Sequence, residues 1–166
     1  MLKGFNLRQL LTITLMAVFS FIIMFLEFPL PILPEFLKID LSDLPALITG
    51  LALGPVAGIL VELLKNMLHL LRTSTGGVGE LANFLVGAAL ILPASMMYKK
   101  KSDIKGFAVS LGLGILLMGV VGGLANYFIL LPFYQNFMPM EAIIGLGSAV
   151  NPAIQDTATL ILYAIV

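Results

Sequence analysis

A chain of 166 residues that is 60% hydrophobic and 11% charged lacks the polar side chains to coat a soluble globule, where about a quarter of residues carry charge. Nine basic and nine acidic residues cancel, so no net field draws nucleic acid. The absence of cysteine excludes disulfides, thiolate chemistry and cysteine-bound metals. Apolar runs recur along the whole length, which predicts one integral membrane domain over 1–166.

After a basic lead holding Lys3 and Arg8, residues 10–28 form the first predicted spanning helix. The run is too long for a signal-peptide core and has no obvious small-residue cleavage site, so it reads as a retained helix. Pro29, Pro31 and Pro34 end it and favour extended backbone over 29–39. Ser42, Asp43 and Pro45 have the pattern of a helix start, with Ser42 as the capping residue. A short second helix over 44–53 follows, turned by Gly54 and Pro55.

The third helix, 54–72, carries Glu62, Lys65, Asn66 and His69 on one side, while Ile59, Leu60, Leu63, Leu64, Leu68 and Leu71 offer the other to lipid. A charge at the bilayer centre costs about 2.5–3.5 kcal/mol on insertion scales. The polar stripe must therefore face other helices or a wet cavity, and Glu62 and Lys65 are spaced to pair. A glycine-rich loop over 72–79 precedes a fourth helix, 80–98. Gly79, Asn83 and Gly87 share a face of that helix beside Glu80, so a neighbouring backbone or a flat ligand can approach closely. The glycines are not followed by Lys-Ser/Thr, so this is no phosphate-binding P-loop.

Lys99, Lys100, Lys101 and Lys105 separate this helix from a fifth, expected over 106–131. Gly112, Gly119, Gly123 and Asn126 form a stripe on it, with Tyr127 and Tyr134 near its far end. Residues 132–156 read as a mixed loop, and 157–166 as about half of a sixth span, which suggests that the native carboxyl end continues further. Loop charges place the amino terminus and the 99–105 loop inside, and the loops at 29–39, 72–79 and 132–156 outside. A ligand site opening outward follows. Catalysis is poorly supported: there is no nucleophile elbow and no zinc-binding His pair.

The blocks at 37–48, 54–58, 64–68, 79–87 and 126–134 together resemble the substrate-binding S components of energy-coupling factor (ECF) vitamin transporters, and most nearly their riboflavin-specific branch. The resemblance implies an all-α membrane protein, a bundle of six transmembrane helices with a cytoplasmic amino terminus, in the bacterial cytoplasmic membrane. It implies riboflavin as a transported ligand rather than a cofactor, with flavin mononucleotide as a further candidate. It implies docking to a transmembrane coupling protein and two cytoplasmic ATPase subunits, and no hydrolysis by this chain. Carried over by position, Asp40, Leu41, Asn83 and Asn126 are the expected substrate contacts, and Ala17 and Ser20 the expected docking positions. Glu62, Lys65, Asn66, His69 and Glu80 remain as supporting polar groups. The rival readings are an S component for thiamine, biotin or folate, an intramembrane enzyme using Glu62 and His69 as acid and base, and a ligand-free structural partner.

Overall fold

A computed structural model describes residues 4–25, 28–29, 38–39, 41–73, 75–100, 103–137 and 139–165. Helix α1 spans Leu7–Met24. It starts earlier than its apolar run because Asn6 caps it: Gln9 N–H donates to Asn6 Oδ1 at 2.9 Å, and Asn6 N–H donates back to Gln9 Oε1 at 3.0 Å. This reciprocal pair satisfies two otherwise orphaned donors. Ile13, Ala17, Ser20 and Met24 form its buried face. Of the two expected docking positions, Ala17 packs into the core, and the Ser20 hydroxyl donates to the Ser42 carbonyl.

Among the described residues, Phe28–Pro29 and Lys38–Ile39 form a two-residue antiparallel pair, with Phe28 opposite Ile39 and Pro29 opposite Lys38. Helix α2 then spans Asp43–Leu53 and α3 spans Pro55–His69, followed by a 3-10 turn at Leu70–Arg72. Gly54 joins α2 and α3 at φ 105°, in a region closed to most side chains, and Pro55 occupies the first turn of α3, where its missing N–H costs nothing. The two helices cross closely because a Cβ on Gly58 would lie 2.8 Å from the Ala46 carbonyl oxygen.

Helices α4, Val78–Tyr98, and α5, Ile104–Ala125, are the longest. Asp103 caps α5 by accepting from Gly106 N–H at 2.7 Å. Gly114 lets α5 lie on α4, since a Cβ there would sit 2.7 Å from the Leu90 carbonyl oxygen. The chain stays helical beyond α5, through a π-helical segment at Asn126–Leu130 and the short α6, Leu131–Gln135. The mixed loop expected over 132–156 instead contains α6 and α7, Met140–Val150. Both are too short and too glycine- or proline-marked for periodicity to register them. Helix α8 spans Thr157–Ile165.

Two apolar cores result. The larger joins α1, α2, α3 and α4 around Ile13, Ala17, Leu47, Val61 and Ile91. The smaller joins α6, α7 and α8 around Leu131, Ile143, Ile154 and Leu160. Ile59, Leu60 and Leu64 pack against the larger core. The outer face of α3 is thus narrower than expected, because α1, α2 and α4 surround it. Among the described residues, three helical stretches are long and apolar enough to cross a bilayer: Leu7–Met24, Val78–Tyr98 and Ile104–Gln135.

Candidate functional site

The polar stripe of α3 faces the bundle interior. Lys65 is fully buried and forms ion pairs with Glu62 Oε1, at 3.0 Å, and with Asp43 at the start of α2. Its ammonium also donates to Ser42 Oγ at 2.7 Å. Ser42 is therefore not the side-chain cap its position suggested; its hydroxyl serves Lys65 and no cap hydrogen bond forms. The Asn66 amide donates to Glu62 Oε1 and to the Glu62 carbonyl, both at 2.9 Å. Two carboxylates thus share one ammonium, and the Asn66 amide adds a donor to that of Glu62. The pairing offsets part of the cost of burying these charges, while among the described residues Glu62 Oε2 and Asn66 Oδ1 are buried without a hydrogen-bond partner.

Gly87 of α4 closes the cluster from the other side. A Cβ there would meet Glu62 Oε1 at 2.6 Å. The glycine spacing read as room for a neighbouring backbone or a flat ligand is, at this position, room for the carboxylate of α3. Gly79 likewise accommodates Thr75.

A second knot ties the α3–α4 connection. Glu80 is almost completely buried and takes three donors: His69 Nδ1 at 2.8 Å, Thr73 Oγ1 at 3.0 Å and Thr75 Oγ1 at 3.1 Å. Thr73 Oγ1 in turn accepts from Gly77 N–H at 3.1 Å, and Thr75 Oγ1 from Gly79 N–H at 2.9 Å. The His69 ring lies 5.9 Å from that of Phe25, over which Arg72 places its guanidinium at 5.5 Å. Glu62 and His69 thus belong to separate networks, each with its own partners, and form no acid–base pair.

Asn83 and Asn126 are half-buried on elements that touch: α4 carries Asn83, and Asn126 opens the π-helical segment, which packs on α4 and α8. A π turn inside a helix widens it locally and recurs at functional sites. Here the Asn126 N–H is shared between the Gly122 and Gly123 carbonyls, while its own carbonyl accepts from Leu131 N–H. Tyr127 is exposed and stacks edge-on with Phe128, as an interfacial ring would, whereas Tyr134 packs on the smaller core. Leu41 is exposed just before α2, and Asp40 lies outside the described residues.

Sequence reasoning missed Asp43 as a partner of Lys65 and Gly114 as the close-approach point of α5. Asp43 is 22 residues from Lys65, so only the packing of α2 on α3 reveals the pair. The available signal was stoichiometric: a buried ammonium beside one carboxylate and no water leaves donors to satisfy.

A bundle of apolar helices with its charges paired inside, three stretches of which can span a bilayer, is a polytopic membrane protein. The family model for the substrate-specific component of ECF transporters matches residues 8–166, and the chain belongs to that family. It is 41% identical over 141 residues to the riboflavin transporter FmnP of Bacillus subtilis, covering 83% of this chain and 74% of that one. It is also 41% identical over 127 residues to the riboflavin transporter RibU of Staphylococcus aureus, covering 76% and 67%. A solved structure of the S component of a bacterial ECF transporter superposes with a TM-score of 0.72 at 34% identity, over 95% of this chain and 89% of the other. The family is one of transporter components, not enzymes.

Proposed function

We propose that this chain is the riboflavin-binding S component of an ECF transporter, capturing the vitamin at the outer face of a bacterial cytoplasmic membrane. The observation that carries the reading is the 41% identity to two riboflavin transporters. The site supports it chemically. An isoalloxazine ring needs flat apolar walls and a few fixed amide partners. Asn83 and Asn126 present such amides, half-buried, on packed helical elements.

In this reading the two amides bond the ring edge, while Asp40 and Leu41 meet the ribityl chain. Flavin mononucleotide shares the ring and is a second ligand. In this reading the chain makes six crossings as a single domain, with the amino terminus and the lysines of the 99–105 loop in the cytoplasm. Release into the cell depends on a transmembrane coupling protein and two ATPase subunits, since nothing in this chain's chemistry hydrolyses ATP. The paired cluster around Lys65 and the knot around Glu80 support the site without touching the ligand.

The test is a fluorescence-quenching titration of the purified chain with riboflavin. Asn126→Ala is expected to raise Kd by about five- to a hundredfold, the loss of a buried hydrogen bond worth about 1–3 kcal/mol. Unchanged affinity would remove Asn126 from the site.

A further inference from the structure

The buried cluster around Lys65 touches four helices, and two of its contacts adjoin residues given to the ligand above. Through Ser42 and Asp43 it holds the first turn of α2, immediately after Leu41. Through Glu62 it abuts Gly87, one turn along α4 from Asn83. From α1, the Ser20 hydroxyl donates to the Ser42 carbonyl, fixing the backbone at the same junction. Lys65, Glu62, Ser20 and Ser42 are fully buried, and Asp43 is nearly so.

We infer that Lys65 is a positioning residue for substrate: its ammonium sets the register between the loop end at Leu41, which faces the ribityl chain, and the face of α4 that presents Asn83 to the ring. This rests on the riboflavin reading above. The physical ground is the asymmetry of buried charge. An ion pair of this kind adds little to stability compared with apolar side chains of equal volume, but it defines one geometry, because its partners are costly to leave unmatched. An apolar α1–α2–α3 contact is specified by shape complementarity alone. A lysine that must satisfy Ser42, Asp43 and Glu62 at once leaves the start of α2 one position relative to α3. Gly87 extends that constraint to α4, because the Glu62 carboxylate fills the space of its missing side chain.

A role in positioning predicts a selective defect, where a merely structural role predicts a general one. Riboflavin and lumiflavin share the ring, but lumiflavin lacks the ribityl chain. The triple variant Asp43→Asn/Glu62→Gln/Lys65→Met keeps the volumes and removes all three charges. It is to be titrated with both flavins in detergent, after circular dichroism and gel filtration show a helical, monodisperse chain. The expected result is a riboflavin Kd raised about tenfold or more, as for the loss of one or two hydrogen bonds, with the lumiflavin Kd changed less than about twofold.

Ser20→Ala, which introduces neither charge nor bulk, makes the same comparison with the ion pairs intact. A smaller riboflavin-selective loss of about threefold is expected there, as for one neutral hydrogen bond. Equal losses for both flavins, or no loss for riboflavin in either variant, would overturn the inference. A wild-type chain that binds neither flavin would instead overturn the riboflavin reading itself, so the two failures are separate.

Discussion

At the scale of single residues, the buried carboxylates Glu62 and Glu80 are each held by more than one partner, and the consequences differ by site. Glu80 gathers His69, Thr73 and Thr75. Glu80→Ala would take the shared acceptor from three half-buried donors, and a loss of about 1–3 kcal/mol is expected, read as a lower midpoint of thermal unfolding in detergent. Gly87→Ala acts in the opposite way, by adding volume. Its methyl would overlap the Glu62 carboxylate, and overpacking of this kind costs about 1–3 kcal/mol. If Gly87→Ala were as stable as the parent chain, the closeness of α3 and α4 would be wrong. The sequence made the α3 stripe legible because a charge in an apolar run has no neutral explanation. It left Asp43 unread, because a partner 22 residues away is specified by tertiary packing and not by spacing. It left open what Gly87 accommodates, since a missing side chain does not reveal what fills the space.

At the scale of elements, strong periodicity gave α1 to α5 to within a few residues, and local chemistry set the true ends. The Asn6–Gln9 capping box starts α1, and Gly54 with Pro55 separates α2 from α3. The segment after Asn126 was less legible. A π turn, a five-residue helix and an eleven-residue helix leave too few turns for an apolar stripe to repeat. The start of α8 carries a pH dependence. Thr159 donates its N–H to Asp156 Oδ1 at 2.7 Å and its hydroxyl to the same oxygen at 2.8 Å. These donors hold the Asp156 carboxyl below the usual carboxylate range. A lowered folded pKa contributes stability above the unfolded value, and that contribution disappears as pH falls through the folded one. Amides in the first turn of α8 are therefore expected to exchange faster in acid, after correction for intrinsic rates. Asp156→Asn should abolish this pH dependence; if it persists in that variant, the cap is not its source.

At the scale of the whole molecule, the chain is a large core of α1 to α4 joined through α5 to a smaller core of α6 to α8; the proposed ring contacts are carried by α4, which holds Asn83, and by the π-helical segment packed on it, which holds Asn126. Orientation is open to a direct test because the chain has no cysteine. In intact cells Arg72→Cys is expected to react with a membrane-impermeant thiol reagent and Lys100→Cys only after permeabilisation; the reverse pattern would invert the topology. The resemblance to ECF S components was legible in five short blocks spread over the chain. The ligand's exact contacts were not, since only packing decides which side chains of separate helices meet. The most direct measurement is equilibrium binding of riboflavin to the purified full chain, with thiamine, biotin and folate as competitors. The account predicts saturable binding of one flavin per chain that none of the three displaces. Absence of riboflavin binding, or its displacement by any of them, would contradict it.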